Sequence, residues 1–142
     1  MYSKADNDGT RIQNEMKWLV AGPRGLTDWH FVWSQLNRIV ELHGKPTAVV
    51  HGNAKGVDLC AGAWAKHNKI LVITYAADWK TFGKGAGIIR NEFMLEHEKP
   101  EVVVAFQPKD SDTRGTQDTI KRTESRIAKG QNIALYVCRP TV

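Results

Sequence analysis

The chain has 142 residues, 42% apolar and 25% charged, the balance of one soluble globular domain and not of a disordered or fibrous chain. Twenty Lys and Arg against fifteen Asp and Glu leave a formal charge of +5, spread along the sequence, which favours an anionic ligand, phosphate before DNA. The two cysteines, Cys60 and Cys138, stand far apart in apolar stretches; that argues against a disulfide scaffold or cysteine zinc site and fits a reducing cytosol, while no apolar run reaches the roughly 18 residues of a membrane helix.

Residues 1–15 are polar, without the apolar core of a signal peptide, and are expected to form a flexible leader. A single domain then runs from 16 to 142. Five short apolar runs, Trp18 to Ala21, Thr47 to Val50, Ile70 to Tyr75, Val102 to Phe106 and Ile133 to Val137, are bounded by turn residues. Most are apolar on consecutive positions, as in strands covered on both faces. Between them, helical spacing places Val32, Leu36, Ile39 and Val40 on one face, and Val57, Cys60, Ala63 and Trp64 on another. Ile89 pairs with Phe93, and Ile120, Thr123 and Ile127 precede a stop at Gly130. Strands alternating with helices predict an α/β fold: a doubly wound, mainly parallel five-stranded sheet with helices on both faces and ligands at the carboxyl ends of the strands.

The informative motifs follow those strand ends. After the first comes Gly22-Pro23-Arg24-Gly25, with Asp28 opening the first helix. The glycines let backbone approach a ligand and Arg24 offers a planar fork for phosphate or carboxylate, whereas Asp28 reads equally as a helix cap. After the second comes His51-Gly52-Asn53-Ala54-Lys55-Gly56-Val57-Asp58. Its glycines and Lys55 at a helix start have the makings of a phosphate cradle, though not of a Walker A loop. Asp58 either complements the helix dipole or holds a ribose hydroxyl. His51 stands as an acid, a base or a hydrogen-bond partner.

After the third strand, Asp78 and Trp79 lie in a polar, Gly-rich stretch, where the indole could stack on a base or pack beneath the loop. Arg90 and Asn91 follow near a helix start, facing the strand tips or paired with Glu92 or Asp78. After the fourth come Ser111, Arg114, Gly115, Thr116 and Asp118, a further anion site or a plain capped helix. The five histidines have no metal-ligand spacing and no carboxylate cluster, so neither a metal nor a cofactor is expected.

The ordered set Gly22-x-Arg24, His51-Gly52-x-Ala54-Lys55-Gly56-x-Asp58, Ala77-Asp78-Trp79, Gly87-x-x-Arg90-Asn91-x-x-Met94 and Gly115-Thr116 resembles the SLOG superfamily of Rossmann-like nucleotide-binding proteins. More closely, it resembles the small branch found in bacteria and their phages. The resemblance runs from about Lys17 to Val137 and implies a nucleotide-type ligand. Relatives in the superfamily include the Lonely Guy phosphoribohydrolases, DNA-processing proteins that bind single strands, and sensors of ADP-ribose-like nucleotides.

The hydrolase relatives carry a catalytic Arg in Arg-Lys-x-x-Met and a catalytic Glu in Gly-Gly-x-Gly-Thr-x-x-Glu. Here Arg90 and Met94 match, Asn91 replaces the Lys, and Thr119 stands where the Glu would be. Asp118 is its neighbour, but one helical residue turns the side chain by about 100°. The reading that follows is a binder of a nucleotide or ADP-ribose-like ligand, a sensor or sequestering protein. The alternatives are a ribosyl hydrolase using Arg90 with Asp118 or Asp58, and a single-stranded nucleic-acid-binding module. Pairing of two copies through helices, with Trp29, Phe31 and Trp33 as a candidate face, is a further expectation.

Overall fold

Each of the five apolar runs becomes a strand in the computed structural model, which describes residues 15–140; apart from Glu15, the expected leader lies outside the described residues. The strands are β1 (Lys17–Ala21), β2 (Ala48–His51), β3 (Leu71–Thr74), β4 (Val102–Phe106) and β5 (Ala134–Cys138). All pair in parallel, in the order β3-β2-β1-β4-β5. Boundaries shift by a residue from those expected: His51 closes β2 by pairing with Thr74, and Cys138 closes β5 opposite Phe106. The inner strands β1, β2 and β4 are buried at every position, which explains why their apolar residues stand on consecutive positions. The edge strands β3 and β5 are only partly covered, and Leu71 is 63% exposed.

The helices are α1 (Trp29–His43), α2 (Val57–His67), α3 (Trp79–Phe82), α4 (Ala86–Glu98) and α5 (Arg114–Ala128). The one-turn α3 and the 3₁₀ turn at Gly83–Gly85 stand where only a loop was expected. Helices α1 and α2 cover one sheet face: Val32, Leu36 and Ile39 with Val57, Ala61 and Trp64 enclose Trp18 and Val20. On the other face, Met94 and Leu95 of α4 close over Leu19, Val50 and Val103, with α5 alongside α4. Successive β1 side chains thus feed opposite layers.

Two expected helix faces are rotated. On α2 the buried residues are Val57, Asp58, Ala61, Gly62, Trp64 and Ala65, while Ala63 is exposed and Cys60 half-buried. On α4, Phe93 is 44% exposed and Ile88 47%; the buried set is Ala86, Asn91, Met94 and Leu95. A polar residue, Asn91, takes an interior position because α5 supplies it with partners, and that turns the apolar pair outward.

Trp64 joins the α1–α2 layer to the sheet. Its ring stacks on Trp18 with centroids 5.7 Å apart, and its Nε1 donates to Asn37 Oδ1 at 2.9 Å. Trp64→Ala is expected to lower unfolding stability by about 3–5 kcal/mol, read by urea denaturation; a change below about 1 kcal/mol would remove Trp64 from the account of the core.

Candidate functional site

Strand order reverses beside β1, whose neighbours β2 and β4 carry the chain away in opposite directions. The helices on either side therefore part at the carboxyl ends of these strands and leave a crevice there. The crevice is a cleft of about 1160 Å³, roomy enough for a dinucleotide-sized ligand. Gly22 and Arg24 line it after β1, Gly52, Ala54 and Asp58 after β2, and Trp79 after β3. Arg90 and Asn91 enter from α4, and Gly115 and Thr116 from α5. Four of the expected site residues, Lys55, Gly56, Asp78 and Asp118, are not part of the lining.

The loop after β2 is organised from within. Asp58, in the first turn of α2, is 5% exposed. Its Oδ2 accepts from Gly52 N at 3.1 Å and Ala54 N at 3.2 Å, while His51 Nδ1 accepts from Asn53 N at 2.9 Å. Three consecutive amides that sequence offers to a phosphate are thus spent on the protein's own side chains, with Asn53 in a left-handed conformation (φ 61°) to make the turn. Lys55 is exposed outside the cleft. The cradle-like spacing at 52–56 builds a rigid wall and not an open nest of donors.

Arg90 grips the same loop from the opposite side. Its Nη1 donates to Gly52 O at 2.7 Å and its Nε to Asn91 Oδ1 at 3.0 Å. A Cβ at residue 52 would collide with this guanidinium, so the glycine is needed for close approach. Burial pulls the Arg90 pKa down, Asp58 opposes, and the like charge of Arg24 lowers it further. Arg24 itself is exposed, and among the described residues it makes no ion pair. Gly56, at φ 81°, abuts the carbonyls of Pro23 and Arg24, which a Cβ would approach to 2.6 Å. It serves to seat one loop on the other.

Across the cleft, Asn91 Nδ2 donates to Gly115 O and to Asp118 Oδ2, each at 3.2 Å. Asp118 Oδ2 also accepts from Arg122 Nε at 2.9 Å, so the carboxylate is held between helices. Thr119 lines the cleft instead, 1% exposed. The N-termini of α2 and α4 lack a side-chain cap, whereas Asp28 caps α1 by accepting from Phe31 N, Asp78 caps α3 by accepting from Thr81 N, and Asp112 Oδ1 accepts from Arg114 N at the start of α5. Asp112 binds Arg114 at 2.7 Å on the exposed rim.

Trp79 is 51% exposed, and its ring edge lies 3.6 Å from where a Cβ at Gly87 would stand. One part of the indole is backed by α4 and the rest faces solvent at the cleft wall. Thr119 and Asp112 were not anticipated as lining. Thr119 was legible in principle, since it lies three residues beyond Thr116 on the same helical face; Asp112 carries no periodic signal.

The family model described as the YspA, cpYpsA-related SLOG family matches residues 16–82. That stretch holds the loops after β1, β2 and β3, and stops short of Arg90, Asn91 and α5. The Gene 61 protein of Mycobacterium phage D29 is 38% identical over 84 residues, covering 54% of this chain and 66% of the phage protein. The chain thus spans just under two thirds of that relative's length. No solved structure matches the chain significantly.

Two buried groups give the site opposite pH responses. Burial pushes Asp58 up to about 6, against the pull of the Ala54 amide, Arg90, the Gly52 amide and Arg24. Burial pushes His51 down to about 4, with Arg90 and Lys66 adding. Between pH of about 4 and 6 the native state holds a proton on Asp58 that the unfolded chain gives up, so this group's stability is lost as pH rises through 6. Over the same range His51 stays neutral while the unfolded chain takes up a proton, so its stability is lost as pH falls toward 4. The two slopes oppose each other. Asp58→Asn is expected to leave a stability that rises with pH from 4 to 6.5 more steeply than wild type, read by urea denaturation at four pH values; equal slopes would contradict this balance.

Proposed function

We propose, from the premise that the chain belongs to the SLOG superfamily, that its cleft holds a nucleotide or nucleotide-derived, ADP-ribose-like ligand by its phosphates, as a sensor or sequestering protein. Membership of the superfamily points to nucleotide-related binding or processing. The observation that carries the finer reading is that Arg24, from the loop after β1, and Arg90, from α4, line the same cleft. An anion between them accepts from the Arg24 fork and from Arg90 Nη2, the rest of whose guanidinium is held by Gly52 O and Asn91 Oδ1.

The rest of the lining supports the same orientation. The first turn of α5, where Asp112 takes the Arg114 amide, adds the Gly115 and Thr116 backbone to the lining, with the positive end of the helix dipole behind it. Trp79, half exposed, with its ring edge beside Gly87 near the Arg90 guanidinium, suits a base or a ribose. The phosphate end is therefore assigned to Arg24, Arg90 and the first turn of α5, and the base end to Trp79.

Binding without cleavage is favoured by what surrounds Arg90. The lining position that would carry the hydrolases' acid is Thr119, and Asp118 is committed to Asn91 and Arg122. Asp58 lines the cleft, yet its Oδ2 already serves two backbone amides, a poor setting for an acid that must act on substrate.

Calorimetry with AMP, ADP-ribose and NAD tests the reading. At least one is expected to bind, and Arg90→Ala and Arg24→Ala are each expected to weaken it by about tenfold or more, as charge-assisted hydrogen bonds to phosphate imply. No heat with any of the three would defeat it. Release of adenine or ribose phosphate on prolonged incubation would shift the reading to a ribosyl hydrolase.

A further inference from the structure

The contact between α4 and α5 runs through a side chain that has partners on both of its ends. Asn91 is 4% exposed. Its Oδ1 accepts from Arg90 Nε at 3.0 Å, and its Nδ2 donates both to Gly115 O and to Asp118 Oδ2 at 3.2 Å. Asp118 is braced in turn by Arg122 Nε at 2.9 Å, and Arg122 reaches Glu92, the residue after Asn91, at 3.0 Å. Arg126 closes the brace on Glu92 at 2.9 Å. One path of hydrogen bonds thus links the guanidinium of Arg90 to the first turn of α5.

Only a carboxamide fits the middle of that path. A lysine ammonium has no acceptor for Arg90 Nε, and a carboxylate has no donor for Gly115 O. The replacement of the Lys expected from the resemblance by Asn91 therefore exchanges a cation for a two-way bridge, and leaves Arg90 oriented from both sides, by Gly52 O and by Asn91 Oδ1.

We infer that Asn91 is a positioning residue, one that fixes the Arg90 guanidinium and the first turn of α5 at a set separation so that both engage one anionic group of the ligand. The inference rests on the nucleotide reading for the identity of that group, and not for the bridge itself. Asp118, outside the lining, is the second member of the device, and its removal acts on the site only through Asn91.

The test has a ligand-free and a ligand-bound arm. In the first, NMR follows exchange of the Arg90 Nε–H in wild type, Asn91→Leu and Asp118→Leu. Both variants are expected to accelerate it by about tenfold, the second although residue 118 does not touch Arg90. Exchange within about twofold of wild type in Asp118→Leu would overturn the inference whatever the ligand, because no coupling would run through Asn91. In the second arm, AMP affinity is measured for Asn91→Asp, Asp118→Asn and the double variant. In the double variant the carboxylate at 91 still accepts from Arg90 while the amide at 118 donates to it. Asn91→Asp is expected to weaken AMP by about tenfold, and the double variant to recover most of that loss. A double variant no better than Asn91→Asp would show that the contact between residues 91 and 118 does not set the Arg90 guanidinium and would overturn the positioning role. Coupled exchange in a protein that binds none of AMP, ADP-ribose and NAD would uphold the bridge and count against the nucleotide reading alone.

Discussion

Everything at the carboxyl edge of the sheet depends on how the backbone at Gly52 is held. Its N–H is taken by Asp58 and its C=O by Arg90, so one peptide segment is clamped between a buried carboxylate and a buried guanidinium. Neither charge would be tolerated there alone, since removal from water disfavours each by several kcal/mol. They offset one another across the segment they share. The clamp has a steric condition as well, because only a residue without Cβ lets the guanidinium reach the carbonyl.

That clamp decides which groups are left for a ligand. The amides of residues 52 to 54 turn inward, to Asp58 and His51, and cannot serve a phosphate while they do. Arg90 points one edge at the loop and shares the cleft with Arg24. The first turn of α5 is fixed opposite through Asn91. Arg24 and Arg90 therefore line the cleft beside the first turn of α5, with the Asp112–Arg114 pair on the rim, while the loop after β2 serves as a wall. The salt links of Glu92 with Arg122 and Arg126 are partly exposed and contribute modestly to stability; their consequence is to hold two helices in register at the place where the cleft needs it.

The sheet was legible because its strands obey one simple rule. Val49-Val50 and Val102-Val103-Val104 are apolar on consecutive positions, and only a strand covered on both faces uses such a run. Alternation with helices then implied parallel pairing and a ligand site at the carboxyl ends of the strands, while the strand order, and with it the crevice beside β1, is visible only in the fold. Helix faces were less legible. On α4, Ile88, Ile89 and Phe93 outweigh Met94 and Leu95 in apolar character, yet the interior position went to Asn91, whose partners lie 24 and 27 residues further along the chain. Local periodicity carries no information about such pairings. The same reason applies to Asp58: its place at a helix start reads as dipole compensation, and its grip on Gly52 and Ala54 depends on a turn that only the folded loop makes. Gly22, Arg24, Trp79, Arg90, Gly115 and Thr116 were legible as cleft residues because each follows a strand end, where the architecture itself directs the chain.

The most direct measurement is an amide and indole chemical-shift map of the chain titrated with AMP. The account predicts saturable shifts at the Gly115 and Thr116 amides and at the Trp79 indole N–H, with the amides of Gly52, Asn53 and Ala54 little changed, since they remain bound to Asp58 and His51. Shifts concentrated at residues 52 to 54 with α5 silent would contradict it, placing the phosphate in the loop after β2 and breaking the clamp on which the rest of the site is built.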